Sequence, residues 1–306
     1  MAIIGFYSVK GGSTRTTLAV NLAFSLILNN PSMKIGLVDC DFEQAGAGMD
    51  VFLATALSRQ LLNINNGKGI SDLSETLQAL YADKLDGTLV DVLVDSNRPR
   101  KKRNVLWIDA TEIMGLVATE QRPWLETIKD RIWFMPCGRG WAKLASIQYN
   151  EVTIGRIGET LWQMQQACGL THIFIDCRSG IADSAFASLM ATDFLVMPVL
   201  PSNMHLQAAK DGTEVLRKIV VAYPKRDTPR DIVYAICMSP DDENVIRRIE
   251  GFFEDGSDVA VMPFHSAMVN SEVIAAIPDE SGFSPDDQRY LEALDELWRL
   301  MCIRIG

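Results

Sequence analysis

Residues 3 to 24 read IIGFYSVKGGSTRTTLAVNLAF, and this stretch confines the chain to few folds. An apolar run, Ile3 to Val9, gives way to Lys10-Gly11-Gly12-Ser13-Thr14-Arg15-Thr16-Thr17. A helical pattern follows, carried by Leu18, Val20, Leu22, Ala23 and Leu26. A strand that feeds a helix through a glycine-rich turn is the context a phosphate-binding loop requires. Gly11 and Gly12 let the backbone turn tightly and bring its amides near an anion. A helix starting near Thr16 offers free N–H groups and a positive dipole end to that anion. Thr16 stands where a hydroxyl would ligand a Mg²⁺ ion bridging two phosphates. The plain alternative is an ordinary glycine-rich strand-to-helix turn.

The same eight residues resemble the deviant phosphate loop of the MinD/ParA family of ATPases, whose pattern is KGGxGK[ST][ST]. Lys10 falls on the family's signature lysine, which there reaches across a dimer interface to the partner's nucleotide. Thr14 replaces the glycine before the loop lysine, and Arg15 replaces the lysine itself. Arginine keeps the charge but is planar, larger and forked, so the exchange is not conservative at a close-packed site. The resemblance implies ATP or ADP held by Gly11, Gly12, Ser13, Thr14, Arg15, Thr16 and Thr17, and the exchange argues against fast hydrolysis.

Two downstream segments extend the resemblance in the right order. Lys34 to Cys40 reads as a buried strand ending in Asp39-Cys40-Asp41. Carboxylates at the carboxyl end of a parallel strand sit where open α/β sheets bind ligands. In the family this segment is switch I: the position of Asp41 orients the attacking water, and that of Asp39 supports the metal shell. Phe42 stands where proline is frequent. His172 to Asp176 is an apolar strand ending in a carboxylate, the Walker B arrangement, so that Asp176 would hold Mg²⁺ through its water shell. Cys177 to Asp183 resembles switch II, in which Gly180 would let a backbone amide approach the γ-phosphate. The alternative for the aspartates is a polar cap at a strand end.

Further strands are expected at Ile132–Pro136, Phe194–Val199, Ile232–Cys237 and Ala260–Met262, with a short possible one at Val105–Ile108. Long helices are expected over Ala145–Cys168, from Ser202 through Ile219, and over Ser284–Ile305. Pro263 matches a family proline beside the adenine, but Phe264 and His265 replace the usual tyrosine and aspartate. The strand before it runs into Met238-Ser239-Pro240, without the family's base-reading asparagine. Base identity is therefore implied by resemblance alone. The terminal helix carries an apolar stripe at Leu291, Leu294, Leu297, Trp298, Met301 and Ile305. Its polar face is not basic, so packing on the sheet is expected in place of membrane binding.

Composition narrows the setting. The formal net charge of −10 argues against a surface that binds nucleic acid throughout. The densest basic run, Arg98, Arg100, Lys101, Lys102 and Arg103, reads either as a solvated loop or as a non-specific contact to DNA phosphate. No apolar run is long enough to span a bilayer and no basic-then-apolar leader is visible, so a cytoplasmic setting is expected. Six cysteines lack zinc-type spacing and read as reduced thiols, mostly buried. Cys137 and Cys177 invite comparison with the cluster-binding cysteines of the related nitrogenase iron protein, but their local spacing does not match. The three histidines, His172, His205 and His265, stand far apart and read as core or surface residues.

The expectation is one α/β domain over residues 1–306. It would be a doubly wound, mostly parallel sheet with helices on both faces, the P-loop NTPase fold, with residues 46–130 the least legible. The resemblance implies an ATP-dependent homodimer in which Lys10, Asp41 and Arg15 act in catalysis and Thr16, Asp39 and Asp176 serve Mg²⁺. It also implies an activating or cargo protein as partner, with a role in positioning DNA or a protein assembly. The rival is a nucleotide-binding scaffold that dimerises without turnover.

Overall fold

A computed structural model describes residues 2–41, 49, 52–53, 56, 88–94, 107–115, 123–138, 147, 151–222, 231–240, 242–253, 258–266, 274–277 and 282–305. The basic run at 98–103, Val105 and Phe42 lie outside the described residues, as does a helical pattern that the sequence carries over residues 70–80.

Eight strands form one sheet in the order β3-β4-β2-β5-β1-β6-β7-β8. They are β1 (Ala2–Phe6), β2 (Ile35–Cys40), β3 (Ile108–Asp109), β4 (Ile132–Met135), β5 (His172–Cys177), β6 (Phe194–Val199), β7 (Ile232–Ser239) and β8 (Asp258–Pro263). All neighbouring pairs are parallel except β3 with β4. Among the described residues, the expected strand at Val105–Ile108 contributes Ile108 to a two-residue antiparallel edge, Ile108–Asp109. β1 stops at Phe6, short of the expected Val9, because the chain leaves the sheet to enter the glycine loop.

The helices named among the described residues are α1 (Arg15–Asn29), α2 (Leu89–Val94), α3 (Ala110–Gly115), α4 (Pro123–Ile128), α5 (Glu151–Cys168), α6 (Asp183–Leu189), α7 (Asn203–Ala222), α8 (Glu243–Glu250) and α9 (Pro285–Ile305). They cover both faces, which is why the central strands read as unbroken apolar runs. Successive strand residues point to opposite faces. Ile4, Phe6, Leu37, Phe174 and Val196 share one core with α1 and α9. Tyr7, Val38, Ile173, Ile175 and Met197 share the other with α5, α6 and α7.

The terminal helix packs on β8, β7 and α1, as its stripe predicts. Leu294, Leu297 and Met301 are buried there, joined by Tyr290. Among the described residues no helix is long and apolar enough to cross a membrane. Cys40, Cys137, Cys168, Cys177 and Cys237 are buried, whereas Cys302 is exposed.

Candidate functional site

Strand register brings distant carboxylates to one edge. Asp39 on β2 is the register partner of Asp176 on β5, which in turn pairs with Phe6 at the end of β1. The loop that leaves β1 therefore emerges at the level of both aspartates. Parallel strands put all their carboxyl ends on one side, so loop and carboxylates meet without any local sequence signal.

The loop itself is sharply bent. Gly12 has a φ of 75° and Thr14 a φ of 62°, the left-handed region in which a β-branched residue is an outlier. Thr14 is the N-cap of α1, yet its side chain makes no capping bond to the helix. It donates instead to the Ser13 carbonyl at 2.6 Å. The first turn of α1 also carries no acidic residue. The helix start thus keeps its positive dipole end uncompensated by its own side chains.

Arg15, the first residue of α1, is buried. Its Nη2 donates to Asp41 Oδ2 at 3.1 Å, its Nη1 to Ser8 Oγ at 3.4 Å, and its Nε lies 3.7 Å from Asp176 Oδ1. The next side chain, Thr16, donates its hydroxyl to Asp176 Oδ2. Asp176 Oδ1 is buried without a hydrogen-bond partner. Burial pushes the Asp176 carboxyl up to about 6, against the pull of Arg15 and Thr16 and with a smaller push from Asp41. Asp39 faces differently. Its Oδ1 accepts from the Asp41 backbone N–H at 2.9 Å and its Oδ2 from the Met49 N–H at 3.1 Å, so it ties the end of β2 to Met49.

Gly180 adopts a φ of 87°, and its N–H donates to the Ser8 carbonyl at 3.0 Å. The Tyr7 hydroxyl donates to the Gly180 carbonyl at 3.1 Å. Burial, with help from neighbouring Cys177, raises the Tyr7 phenol to about 12, so it stays a protonated donor. The glycine whose segment resembles switch II is thus docked on the start of the loop. Its amide, expected to face a phosphate, is turned to the protein.

Lys10 is partly exposed beside a small pocket that Ser8, Ser13, Pro198, His205 and Ala209 also line. Helix α7 comes close enough to build that pocket because it carries Gly212. A Cβ there would lie 2.1 Å from Val9 Cγ2. The His205 pKa is lowered, first by burial and then by the Lys10 charge. Its Nδ1 shares a 2.7 Å hydrogen bond with Ser202 Oγ. Ser13 Oγ is buried with no partner. Pro263 ends β8 in register with Ser239 at the same edge of the sheet, and the Cys237 thiol of β7 donates to the Ala235 carbonyl at 3.5 Å. His265 is a core residue bonded to Asp287 at 2.8 Å.

Ser8 and Tyr7 carry much of this geometry, yet sequence reading passed over both. A hydroxyl just before a signature lysine is a faint signal, and a tyrosine inside an apolar strand gives none. Among the described residues no three His, Cys, Asp or Glu side chains group as a metal centre. A divalent ion here would rest on one hydroxyl, one carboxylate, water and its ligand's own oxygens.

The whole architecture finds counterparts among solved structures. The Pyrococcus furiosus cell division ATPase MinD is 17% identical, covers 98% of this chain and 99% of its own, and superposes with a TM-score of 0.59. The fold is that of the MinD and ParA ATPases. The septum site-determining protein MinD of Pyrococcus horikoshii OT3, complexed with Mg-ADP, shares the MinD/ParA fold at 15% identity, 99% and 98% coverage and a TM-score of 0.60. A putative plasmid partition protein from Borrelia burgdorferi B31 bound to AMPPNP does so at 13% identity, 99% and 98% coverage and a TM-score of 0.58. No family model matches the chain, and no curated protein matches it either.

Proposed function

We propose that the chain is one nucleotide-binding domain that binds ATP and ADP on the loop from Gly11 to Thr17 and works as a nucleotide-dependent dimeric switch. The observation that carries this reading is the uncapped, acid-free start of α1 facing the same sheet edge as Asp41 and Asp176. Backbone N–H groups of Gly12 to Thr17 would cradle phosphate, and the helix dipole would favour its charge. The orphaned Oδ1 of Asp176, next to the Thr16 hydroxyl, fits the hydrated shell of a hard cation. Mg²⁺, when bound, would draw charge from two phosphates of the nucleotide. Asp39 would act one layer back, by fixing the backbone that presents Asp41. Pro263 would border the base.

A homodimer is supported by the apolar side chains this edge leaves exposed. Ile181, next to the switch-II glycine, and Met204, at the start of α7, are 56% and 59% exposed. Both flank the Lys10 region, and Lys10 would act across that interface on the partner's nucleotide. The activating or cargo protein would read the nucleotide state through the switches. The work done would be positioning of DNA or of a protein assembly in the cytoplasm.

One observation favours the non-hydrolysing scaffold as a second reading. Asp41, the carboxylate that would orient water, is held by Arg15 in a buried ion pair. Phosphate release measured over hours for the native chain and for Asp41→Ala separates the two. Slow release lost in the variant supports the ATPase, and equal background rates support the scaffold. Calorimetry with ATP and Mg²⁺ tests the common premise: no heat and no thermal shift at millimolar nucleotide would remove both readings.

A further inference from the structure

Arg15 is paired with two carboxylates of its own chain, and this goes beyond a swapped phosphate-gripping residue. Its guanidinium lies between Asp41 and Asp176, contacting the first at 3.1 Å and approaching the second at 3.7 Å. All three side chains are nearly water-free, so their attraction is little screened. Thr16, the hydroxyl that a cation would recruit, donates to Asp176 instead. Asp39, the remaining carboxylate at this edge, is satisfied by two backbone amides. Among the described residues at this edge, Asp41 and Asp176 are therefore both turned to one tethered cation, and Thr16 and Asp39 are engaged within the protein.

We propose that Arg15 occupies the divalent cation's place in the nucleotide-free chain and keeps the Asp41 and Asp176 carboxylates closed to metal until a polyphosphate draws the guanidinium away. The charges require this exchange. Two buried carboxylates beside one guanidinium are partly neutralised, and adding a divalent ion there sets cation against cation. Phosphate oxygens at the start of α1 offer the guanidinium's planar fork an equivalent, more highly charged partner. Once it turns to them, two carboxylates stand buried and unpaired, which is costly unless a cation enters. Nucleotide and metal therefore enter together, and metal alone does not bind. A shorter side chain such as lysine lacks the fork that lets arginine bond several oxygen partners from one position.

The nucleotide half of this inference rests on the function proposed above, while the metal half does not, and the experiments keep the two apart. Thermal unfolding is followed with millimolar MgCl₂ against KCl of equal ionic strength, without nucleotide. The native chain is expected to show no Mg²⁺-specific shift. Arg15→Ala, with its two uncovered carboxylates, is expected to gain about 3 °C or more, and the gain is expected to vanish in Arg15→Ala combined with Asp176→Asn. Arg15→Gln, which keeps most of the volume, repeats the test if the alanine variant does not fold. Folded Arg15 variants without a Mg²⁺ shift overturn the proposal. A native chain that shifts as much as the variant does so too.

Manganese binding by the native chain, read from the loss of the free-ion paramagnetic signal, needs no variant. No uptake alone and uptake with AMPPNP is the expected pair of results. Uptake without nucleotide overturns the proposal. No uptake in either case, together with a Mg²⁺ shift in Arg15→Ala, removes the nucleotide reading and leaves Arg15 as the cover of a cation site.

Discussion

Helices α1 and α9 begin in opposite ways. At α9, Ser284 Oγ accepts from the Asp287 N–H at 3.1 Å, and the Asp287 carboxylate accepts from the Ser284 N–H at 2.8 Å. Asp286 and Asp287 fill the first turn, and Asp287 also bonds His265. This is a reciprocal cap with acids matched to the dipole. At α1 the N-cap makes no side-chain bond, the first turn has no acid, and the first residue is a buried arginine. A helix start that is only structural satisfies itself, as α9 does. One left unsatisfied at the carboxyl edge of a parallel sheet suits the external anion proposed for it.

The sharpest way to break this contrast is to remove Arg15. Arg15→Ala leaves two buried carboxylates without their cation and is expected to cost about 3–5 kcal/mol, read from chemical denaturation without divalent ions. Next in size is a pH effect centred on Asp176. Its folded carboxyl sits near 6, above its ordinary 3.8, so the folded chain binds the proton more tightly than the unfolded chain. This group's contribution therefore falls as pH rises from about 4 to about 6. Asp176→Asn lacks that slope and is expected to gain on the native chain by on the order of 2 kcal/mol across the window, measured by denaturation at stepped pH.

Double replacement of Ser284 and Asp287 by alanine removes the α9 cap and is expected to cost about 1–2 kcal/mol while leaving ATP-induced thermal shifts intact. At α1 the sign reverses. Thr14→Gly relieves a left-handed β-branched residue and is expected to stabilise the chain by about 1 kcal/mol in the same melts. The smallest stability change comes from giving α1 the acid it lacks. Thr17→Asp is expected to be worth about 0.3–1 kcal/mol through the dipole, yet to weaken nucleotide binding tenfold or more in calorimetry. Unchanged nucleotide affinity in that variant would mean that the two helix starts do not differ in purpose.

Much of the frame was legible before any coordinates. The strands at Phe194–Val199 and Ile232–Cys237 are apolar runs bounded by turn residues, and both are found where expected, the second extended to Ser239. Ser284-Pro285-Asp286-Asp287 announces the start of α9 through local hydrogen-bond chemistry alone. The site was legible as a set of candidates. Lys10, Asp41, Arg15, Thr16 and Asp176 were each named from pattern, but their mutual distances were not.

What those residues do to one another is a product of the tertiary structure. Arg15 pairs with a carboxylate 26 residues away, and Thr16 with one 160 residues away. Such separations leave no periodic trace. The inward turn of Arg15, the docking of Gly180 on Ser8, and the use of Asp39 to hold the Asp41 and Met49 amides all depend on tertiary placement, the first two on which strands lie side by side. By itself the sequence determined the period of each strand and helix, the glycine turn and the caps, because these depend on bonds between near neighbours. Tertiary structure alone decided that the loop arginine faces two carboxylates, because strand order and register choose the partners of a buried charge.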